Sequence, residues 1–220
     1  MLRLAHRGDH RRAPENTMAA FAAALANPGV NGLELDVRAS ADGVAVVIHD
    51  ASLTRVQGRR IRASRLTAGE LAAHGVPTLS AVLATCPTEV FLDIELKEDM
   101  GEVALAPLRE ERGRAEGNVA GVVISSFSHA ALATVHRLEP AWPLWLNTAW
   151  LSDRAIRTAT DLGCAGIAVV WHRVDAGRVA RAREAGLAVA AWTVRDAVVR
   201  DRLAGLGVVA ACVEGGALPE

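Results

Sequence analysis

The stretch "LELDVRASADGVAVVIHD", residues 33–50, decides the fold, because it sets two acidic residues inside an apolar strand pattern and then turns back on itself. Side chains of a β-strand alternate between its two faces, so Glu34 and Asp36 share one face and the apolar residues around them share the other. Residues 40–43 (SADG) form a hairpin signal. The stretch therefore predicts a strand that carries two adjacent carboxylates, followed by an extra antiparallel strand over residues 44–48.

Eight short apolar segments recur along the chain, and stretches with helical spacing lie between them. Strands are predicted at residues 2–5, 33–37, 90–96, 121–127, 143–148, 165–171, 187–194 and 208–213, and helices at 17–26, 79–85, 102–115, 129–138, 153–162, 176–185 and 197–206. This alternation predicts a parallel sheet covered on both faces, either open and doubly wound or closed, and eight units favour a compact α/β fold of the (β/α)8 TIM barrel type. The last helix is expected to be short or missing, and residues 1–220 are expected to form one domain.

The composition limits the classes of partner. The chain has 220 residues, 51% of them hydrophobic, which is enough to bury a substantial core. A net charge of −1 argues against nucleic acid as a partner. No apolar run is long enough to span a membrane and no signal-peptide pattern is present, so we expect a cytoplasmic protein without stable membrane insertion. The three cysteines form no CxxC pair and are expected to be buried small hydrophobes.

Charged and histidine residues stand at the ends of the first three predicted barrel strands, the side of a TIM barrel that carries chemistry. They are His6 and Arg7 after the first strand, Glu34 and Asp36 on the second, His49 after the hairpin, and Glu95 and Lys97 on the third, with Asp93 one step deeper. We expect these side chains to converge on one rim of the barrel.

The chemistry of these residues predicts a phosphoryl-transfer site. Three carboxylates, those of Glu34, Asp36 and Glu95, are hard oxygen ligands that suit Mg²⁺ or Ca²⁺ rather than zinc. Such an ion would cancel the repulsion between the carboxylates and leave positions open for a phosphate. The remaining members have complementary roles: Arg7 and Lys97 can donate to the same anion, and His6 and His49 can divide the roles of general acid and base.

Each assignment has a structural alternative. Glu34 and Asp36 could pair with barrel arginines in an ion network. His49 could cap a turn together with Asp50. The same holds for the two cations, since Lys97 could be a solvated strand end and Arg7 could form a surface salt bridge.

Four segments resemble the glycerophosphodiester phosphodiesterase family in order and nearly in spacing. They are "AHRGDHRRAPENTMAAFAAAL" (residues 5–25), "GLELDVRASADGVAVVIHDASLTR" (32–55), "VPTLSAVL" (76–83) and "DIELK" (93–97). The resemblance continues more loosely through "VVISSFSHAALATVHRLEP" (122–140) and "GLAVAAWTV" (186–194). Each segment alone would be a weak signal, but the ordered combination is specific.

The resemblance implies a TIM-barrel phosphodiesterase that uses Ca²⁺ or Mg²⁺ to hydrolyse glycerophosphodiesters to sn-glycerol 3-phosphate and an alcohol. It matches His6 and His49 to the acid/base pair, Glu34, Asp36 and Glu95 to the metal ligands, Arg7 and Lys97 to the phosphate contacts, and Trp192 to an aromatic residue beside the substrate. In the implied mechanism the glycerol 2-hydroxyl attacks phosphorus, so Ser125 and Ser126 are expected to serve packing rather than act as nucleophiles.

The "PENT" stretch, residues 14–17, also matches the family. Asn16 or Thr17 is expected to cap the following helix, and Glu15 is left open between supporting the site and a structural role.

This sequence departs from the family pattern at two positions. Arg195 stands where the family often has Asn, and Glu214 stands where the last strand usually ends in Thr-Asp. Both are expected to leave the catalytic set untouched and to alter the pocket wall. Three tryptophans follow the fifth to seventh strands and either line the mouth for a lipid chain or pack in the core; they are Trp150, Trp171 and Trp192. No chemistry is assigned to His10.

Two other functions share the same residues. A lysophospholipase D or a sphingomyelinase-like enzyme would use the same histidines and carboxylates on a lipid. A non-catalytic barrel would bind a phosphorylated polyol at the anion site, although binding alone requires no proton-shuttling pair. A small phosphodiester is therefore the predicted partner of an enzyme that is a monomer or a homodimer.

Overall fold

The computed structural model describes residues 1–113 and 121–218, in which nine strands alternate with eight α-helices. The strands are β1 (Leu2–His6), β2 (Gly32–Ala39), β3 (Ala45–Val47), β4 (Phe91–Leu96), β5 (Val122–Ser126), β6 (Leu144–Thr148), β7 (Gly166–Val170), β8 (Ala188–Val194) and β9 (Ala210–Val213). The helices are α1 (Met18–Leu25), α2 (Ala68–Ala72), α3 (Leu79–Thr85), α4 (Glu102–Arg112), α5 (His129–Leu138), α6 (Asp153–Asp161), α7 (Ala176–Glu184) and α8 (Ala197–Gly205).

Eight parallel strands close into a barrel, which confirms the predicted fold. The strand order is β1-β9-β8-β7-β6-β5-β4-β2, and β1 also pairs with β2. The ninth strand, β3, pairs antiparallel with β2 and sets Val47 opposite Val37, as the hairpin signal predicted. After β9 the described chain forms only a short 3₁₀ turn, Gly215–Ala217, so the prediction of a short or missing last helix is confirmed for these residues.

The side-chain alternation of β2 separates the core from the site. Leu33, Leu35 and Val37 are fully buried in the layer between the barrel and its helices. Residues on the opposite face point into the barrel, where a smaller apolar cluster packs below the polar rim; its buried members are Leu4, Val123, Trp145, Ala168, Ala190 and Ala210. The barrel is thus a filled core whose upper end is free to carry polar groups.

The helices differ from the predicted ones at two places. The predicted helices do not include α2, a five-residue helix that is too short to show a hydrophobic period. Thr67 and Glu70 form a capping box at its start, and the T-x-x-E pattern of residues 67–70 is a sequence signal for such a helix start. The predicted helix 102–115 ends at Arg112, and its last two residues lie outside the described part of the chain.

Two further predictions concern the cysteines and the membrane. Cys86, Cys164 and Cys212 are all buried with free thiols, as predicted. Over residues 1–113 and 121–218, no helix combines the length and the apolar character needed to cross a membrane.

Candidate active site

A cavity of about 180 Å³ opens at the carboxyl ends of the barrel strands. Its lining includes His6, Arg7, Glu34, His49, Asp93, Glu95, Lys97, Ser125, Phe127, Asn147 and Trp192. The parallel register of β2 and β4 sets Asp36 opposite Glu95 and Glu34 opposite Asp93. The rim residues predicted from the sequence therefore do converge, and four carboxyl groups lie in two facing rows.

The three predicted metal ligands form one compact set. Glu34, Asp36 and Glu95 can each offer a carboxylate oxygen within 4.8 Å of the other two. Burial, reinforced by the negative charge of Asp36, raises the pKa of Glu34 well above its usual value and also raises the pKa of Glu95. The carboxylates repel one another in this arrangement, so a cation bound among them would stabilise all three.

Two side-chain cations reach into the same set. Arg7 Nε lies 3.0 Å from Asp36 Oδ2, and Lys97 Nζ lies 3.2 Å from Asp36 Oδ1 and 2.5 Å from Glu95 Oε1. Burial acts to raise the pKa of Asp36, but Arg7 and Lys97 outweigh it, so that pKa is lowered. Lys97 is therefore not a solvated strand end, and Arg7 does not form a surface pair.

The balance of charge shows whether a divalent ion fits. Within residues 1–113 and 121–218, the arginine and lysine side chains that contact the carboxyl groups of Glu34, Asp36, Asp93 and Glu95 are those of Arg7 and Lys97. Asp93 Oδ1 is buried and accepts no hydrogen bond, and the buried Asp36 Oδ1 has its ion-pair contact with Lys97 Nζ at 3.2 Å. An ion network thus exists at Asp36, whereas Glu34, Glu95 and Asp93 keep raised pKa values that a divalent cation bound among them would lower, and an all-oxygen donor set of this kind fits Mg²⁺ or Ca²⁺.

His6 is held by Glu214, a residue predicted to leave the catalytic set untouched. Its Nδ1 lies 2.8 Å from Glu214 Oε2, and its Nε2 lies 3.8 Å from Glu34 Oε2. The prediction for Glu214 was wrong because β9 closes the barrel against β1 with Ala5 opposite Val213, which brings the next residues of both strands together. Burial lowers the pKa of His6, and the hydrogen bond to Glu214 opposes that shift.

Glu214 has two further partners. His10 Nε2 lies 3.0 Å from the same oxygen, Oε2, and Arg195 pairs with the other oxygen, Oε1. Burial works to raise the pKa of Glu214, but its contacts, above all the hydrogen bond from His6, hold that pKa at about 2. The two departures from the family pattern, Arg195 and Glu214, thus contact each other, and through Glu214 they reach a predicted catalytic histidine.

His49 is backed by a chain of ion pairs that returns to Arg7. Its Nδ1 lies 2.7 Å from Asp50 Oδ1, and Asp50 Oδ2 accepts from Arg55 Nε at 2.7 Å. Arg55 also donates at 2.7 Å to both oxygens of Glu15, and Glu15 accepts from Arg7 Nη1 at 3.0 Å. The hydrogen bond from Arg55 lowers the pKa of Asp50 to about 2. Glu15 therefore supports the site, and Asp50 does more than cap a turn.

The loop after β1 reaches the site through an unusual backbone. Arg7 and Asn16 adopt φ values of 61° and 56°, the left-handed region that few residues other than glycine enter. Asn16 Nδ2 donates to Asp36 Oδ2 at 2.8 Å. Thr17 caps α1 by accepting from the backbone N–H of Ala20, so Thr17 rather than Asn16 is the cap.

The aromatic residues at the mouth have different environments. Trp192 lines the cavity, and Phe127, 48% exposed, packs edge-on against it at 5.4 Å between ring centroids. Trp150 is exposed beneath the guanidinium of Arg173, 3.6 Å from its ring centroid. Trp171 packs against the main core. Of the three tryptophans that were left open between the mouth and the core, Trp192 is the one that lines this cavity.

The two serines at the end of β5 differ in position. Ser126 Oγ donates to the carbonyl of Leu96 at 2.6 Å and accepts from the backbone of Ser128 at 2.9 Å, which is a packing role. Ser125 is buried in the lining of the cavity, where Asn147 Nδ2 lies 3.3 Å from its hydroxyl oxygen.

The closed (β/α)8 barrel and its rim of carboxylates, cations and histidines define a TIM-barrel protein with a site suited to a metal ion and a phosphate ester. The glycerophosphoryl diester phosphodiesterase family matches residues 6–214. The chain belongs to this family.

Relatives and solved structures agree with this assignment. The chain is 32% identical to the probable glycerophosphodiester phosphodiesterase 2 of Mycobacterium tuberculosis, a match that covers 93% of this chain and 84% of that protein. It is 35% identical to a glycerophosphodiester phosphodiesterase of Caldanaerobacter subterraneus, of whose length it spans 62%, with 62% of this chain matched.

Two solved structures are closely similar. A glycerophosphodiester phosphodiesterase from Agrobacterium tumefaciens has a TM-score of 0.82 and 27% identity, covering 99% of this chain and 98% of its own. A phosphodiesterase from Oleispira antarctica, solved with its product sn-glycerol-3-phosphate, has a TM-score of 0.86 and 24% identity, covering 97% and 92%. Because the identity to the Oleispira antarctica protein is only 24%, that comparison supports the fold alone.

Proposed function

We propose that the chain is a divalent-metal-dependent phosphodiesterase that hydrolyses glycerophosphodiesters to sn-glycerol 3-phosphate and an alcohol. One observation carries the proposal: a single cavity joins a three-carboxylate cation site, two side-chain cations and two histidines that are each backed by a carboxylate. Membership of the family and the product named for the Oleispira antarctica neighbour support the same reaction.

The carboxylates and cations bind and orient the phosphate in this proposal. Glu34, Asp36 and Glu95 would hold Mg²⁺ or Ca²⁺, which supplies positive charge for the phosphate oxygens. Arg7 and Lys97 donate hydrogen bonds to the same group. Because Asp36 contacts both side chains, their positions depend on it.

The two histidines move the protons. A carboxylate only accepts, so each contact at Nδ1 sets the ring proton there and leaves Nε2 free to exchange a proton with the substrate. One histidine removes the proton of the glycerol 2-hydroxyl as that oxygen attacks phosphorus. The other donates a proton to the departing alcohol oxygen, and water then opens the cyclic phosphate, so no covalent enzyme nucleophile is required.

The size of the cavity favours a small alcohol group. Its volume of about 180 Å³ lies below the roughly 300 Å³ at which drug-sized ligand pockets begin. Trp192 and Phe127 provide apolar wall beside the charged groups. We therefore favour glycerophosphocholine and similar water-soluble diesters over long-chain lysophospholipids. A cytoplasmic location and a monomeric or homodimeric state stay predictions.

The test is hydrolysis of glycerophosphocholine with Mg²⁺ or Ca²⁺, with and without EDTA. The wild type is expected to release sn-glycerol 3-phosphate and to stop in EDTA. Glu95→Gln should lower kcat/KM on the order of 10²-fold or more, because it removes charge from the group that binds the cation. The matched control is Glu98→Gln, whose carboxylate is 46% exposed and pairs with Arg38 outside the cavity. Full activity in EDTA, or in Glu95→Gln, would contradict the proposal.

A further inference from the structure

A second group of metal-ligating atoms lies on the side of His6 that faces away from the carboxylate set. His6 Nδ1 and His10 Nε2 lie 2.8 and 3.0 Å from Glu214 Oε2. The three side chains come from the end of β1, the loop after it and the end of β9, and each offers a ligand atom within 4.8 Å of the others. Neither His10 nor Glu214 belongs to the cation site proposed above.

The donor atoms of this group differ in kind from those of the first set. Two imidazole nitrogens and one carboxylate oxygen form a set that binds Zn²⁺ with a fourth position left open. Ligands at about 2.0 to 2.1 Å around a tetrahedral ion lie about 3.3 Å apart. The two contacts to Glu214, at 2.8 and 3.0 Å, are a few tenths of an ångström shorter than this, and the two imidazole nitrogens lie within 4.8 Å of each other.

The surroundings hold the group in place and leave it open to solvent. Arg195 pairs with Glu214 Oε1, which leaves Oε2 directed at the two imidazoles. The side chains of His6 and Glu214 are 13% and 9% exposed, whereas that of His10 is 33% exposed. An ion can therefore enter past His10 and reach two ligands that are already fixed.

We propose that His6, His10 and Glu214 form a binding site for Zn²⁺ or a similar transition-metal ion, and that occupation of this site inhibits the enzyme. The inhibition rests on the proposed function, since it requires His6 to exchange a proton with the substrate. Without the ion, Nδ1 holds the ring proton and Nε2 has the free lone pair. Coordination through Nδ1 moves that proton to Nε2, so the ring can neither accept a proton from the substrate nor become the imidazolium that would donate one, and His6 is blocked in either role.

Direct binding tests the site without any use of activity. Equilibrium dialysis against Zn²⁺ in saturating Mg²⁺ is carried out on the wild type, on His10→Gln and on the control His74→Gln, a histidine outside the group. Wild type and control are expected to bind one tight Zn²⁺ per chain, and His10→Gln should bind it at least about tenfold more weakly. Equal binding by His10→Gln would overturn the site. Crystals soaked in Zn²⁺ should show an anomalous peak about 2.0 to 2.2 Å from the three ligand atoms.

Inhibition is tested by hydrolysis of glycerophosphocholine at rising Zn²⁺ with Mg²⁺ held constant. His10→Gln should keep the basal rate, because its amide can still donate to Glu214, and should raise the half-inhibitory Zn²⁺ concentration on the order of tenfold or more. An unchanged value would mean that Zn²⁺ acts by displacing Mg²⁺ from the first carboxylate set, and the inference would be wrong. A wild type without any activity would instead defeat the proposed function, and the dialysis would still decide the site.

Discussion

Asp93 gives a sharp test of the electrostatics beneath the metal ligands. It is 2% exposed in the lining of the cavity, and burial raises the pKa of its carboxyl from 3.8 to about 7. The folded protein therefore binds this proton more tightly than the unfolded chain does. As pH rises through this range the folded state must bear a buried charge, so wild-type stability falls. Asp93→Asn keeps the shape of the side chain but has no carboxyl to ionise, so this fall in stability with rising pH should be absent from the variant.

The magnitude follows from the pKa shift. Each pKa unit corresponds to about 1.36 kcal/mol, so between pH 5 and pH 8 the free energy of unfolding of the wild type should fall by about 2.5 kcal/mol relative to Asp93→Asn. A hydrogen bond lost or gained by the asparagine changes stability equally at both pH values. It therefore cancels when the two pH values are compared.

The assay is urea unfolding of both proteins at pH 5 and pH 8 in EDTA. Asp161→Asn on α6, an exposed position, is the control and should show no such change between the two pH values. Adding Mg²⁺ at pH 8 should reduce the advantage of Asp93→Asn, because a bound cation offsets the charge of the neighbouring carboxylates. A difference between variant and wild type that is the same at pH 5 and pH 8 would refute the account.

Three further substitutions test the site and the core. Asp50→Asn should lower kcat on the order of 10²-fold or more, because His49 Nδ1 loses the carboxylate 2.7 Å away that fixes its proton. Kinetics with Mg²⁺ check this, and an unchanged kcat would count against the role of His49. Leu35→Ala should lower the free energy of unfolding by about 2–5 kcal/mol, since Leu35 is fully buried between the barrel and its helices. Urea unfolding measures this loss, and a value below about 1 kcal/mol would contradict the packing. Gly32→Ala should destabilise the folded protein by about 1–3 kcal/mol or more, because the added Cβ would lie 2.2 Å from the carbonyl oxygen of Phe91. Thermal unfolding should show this as a lower unfolding temperature. A variant as stable as the wild type would mean that β2 and β4 lie further apart.

The local pattern of the sequence was sufficient for much of the fold and for the two acidic rows. The period of two in β2 and β4 predicts which residues face inward whatever the partner strand, because it is a property of the extended backbone. The period therefore predicts that Glu34 and Asp36 share one face of β2 and that Asp93 and Glu95 share one face of β4, whatever register joins the two strands. The alternation of strands and helices predicted a parallel sheet for the same local reason, although the count of eight only favoured closure.

The partners of the two histidines could be identified only in part. Asp50 follows His49 directly in the sequence, so their pairing was within reach of local reasoning, but Arg55 and Glu15 meet across 40 residues of chain. The pattern of either segment alone does not encode that ion pair. It depends on how the loop after β3 folds back over the loop after β1.

By itself, the sequence determined the succession of strands and helices along the chain, the faces of the strand side chains and the polar residues at the strand ends, because each of these follows from short-range backbone geometry. Only the tertiary structure decided that Glu214 meets His6 from 208 positions away, with His10 and Arg195 beside it. The reason is that β9 pairs with β1 only when the barrel closes. Which side chains face each other there depends on the register of that pairing.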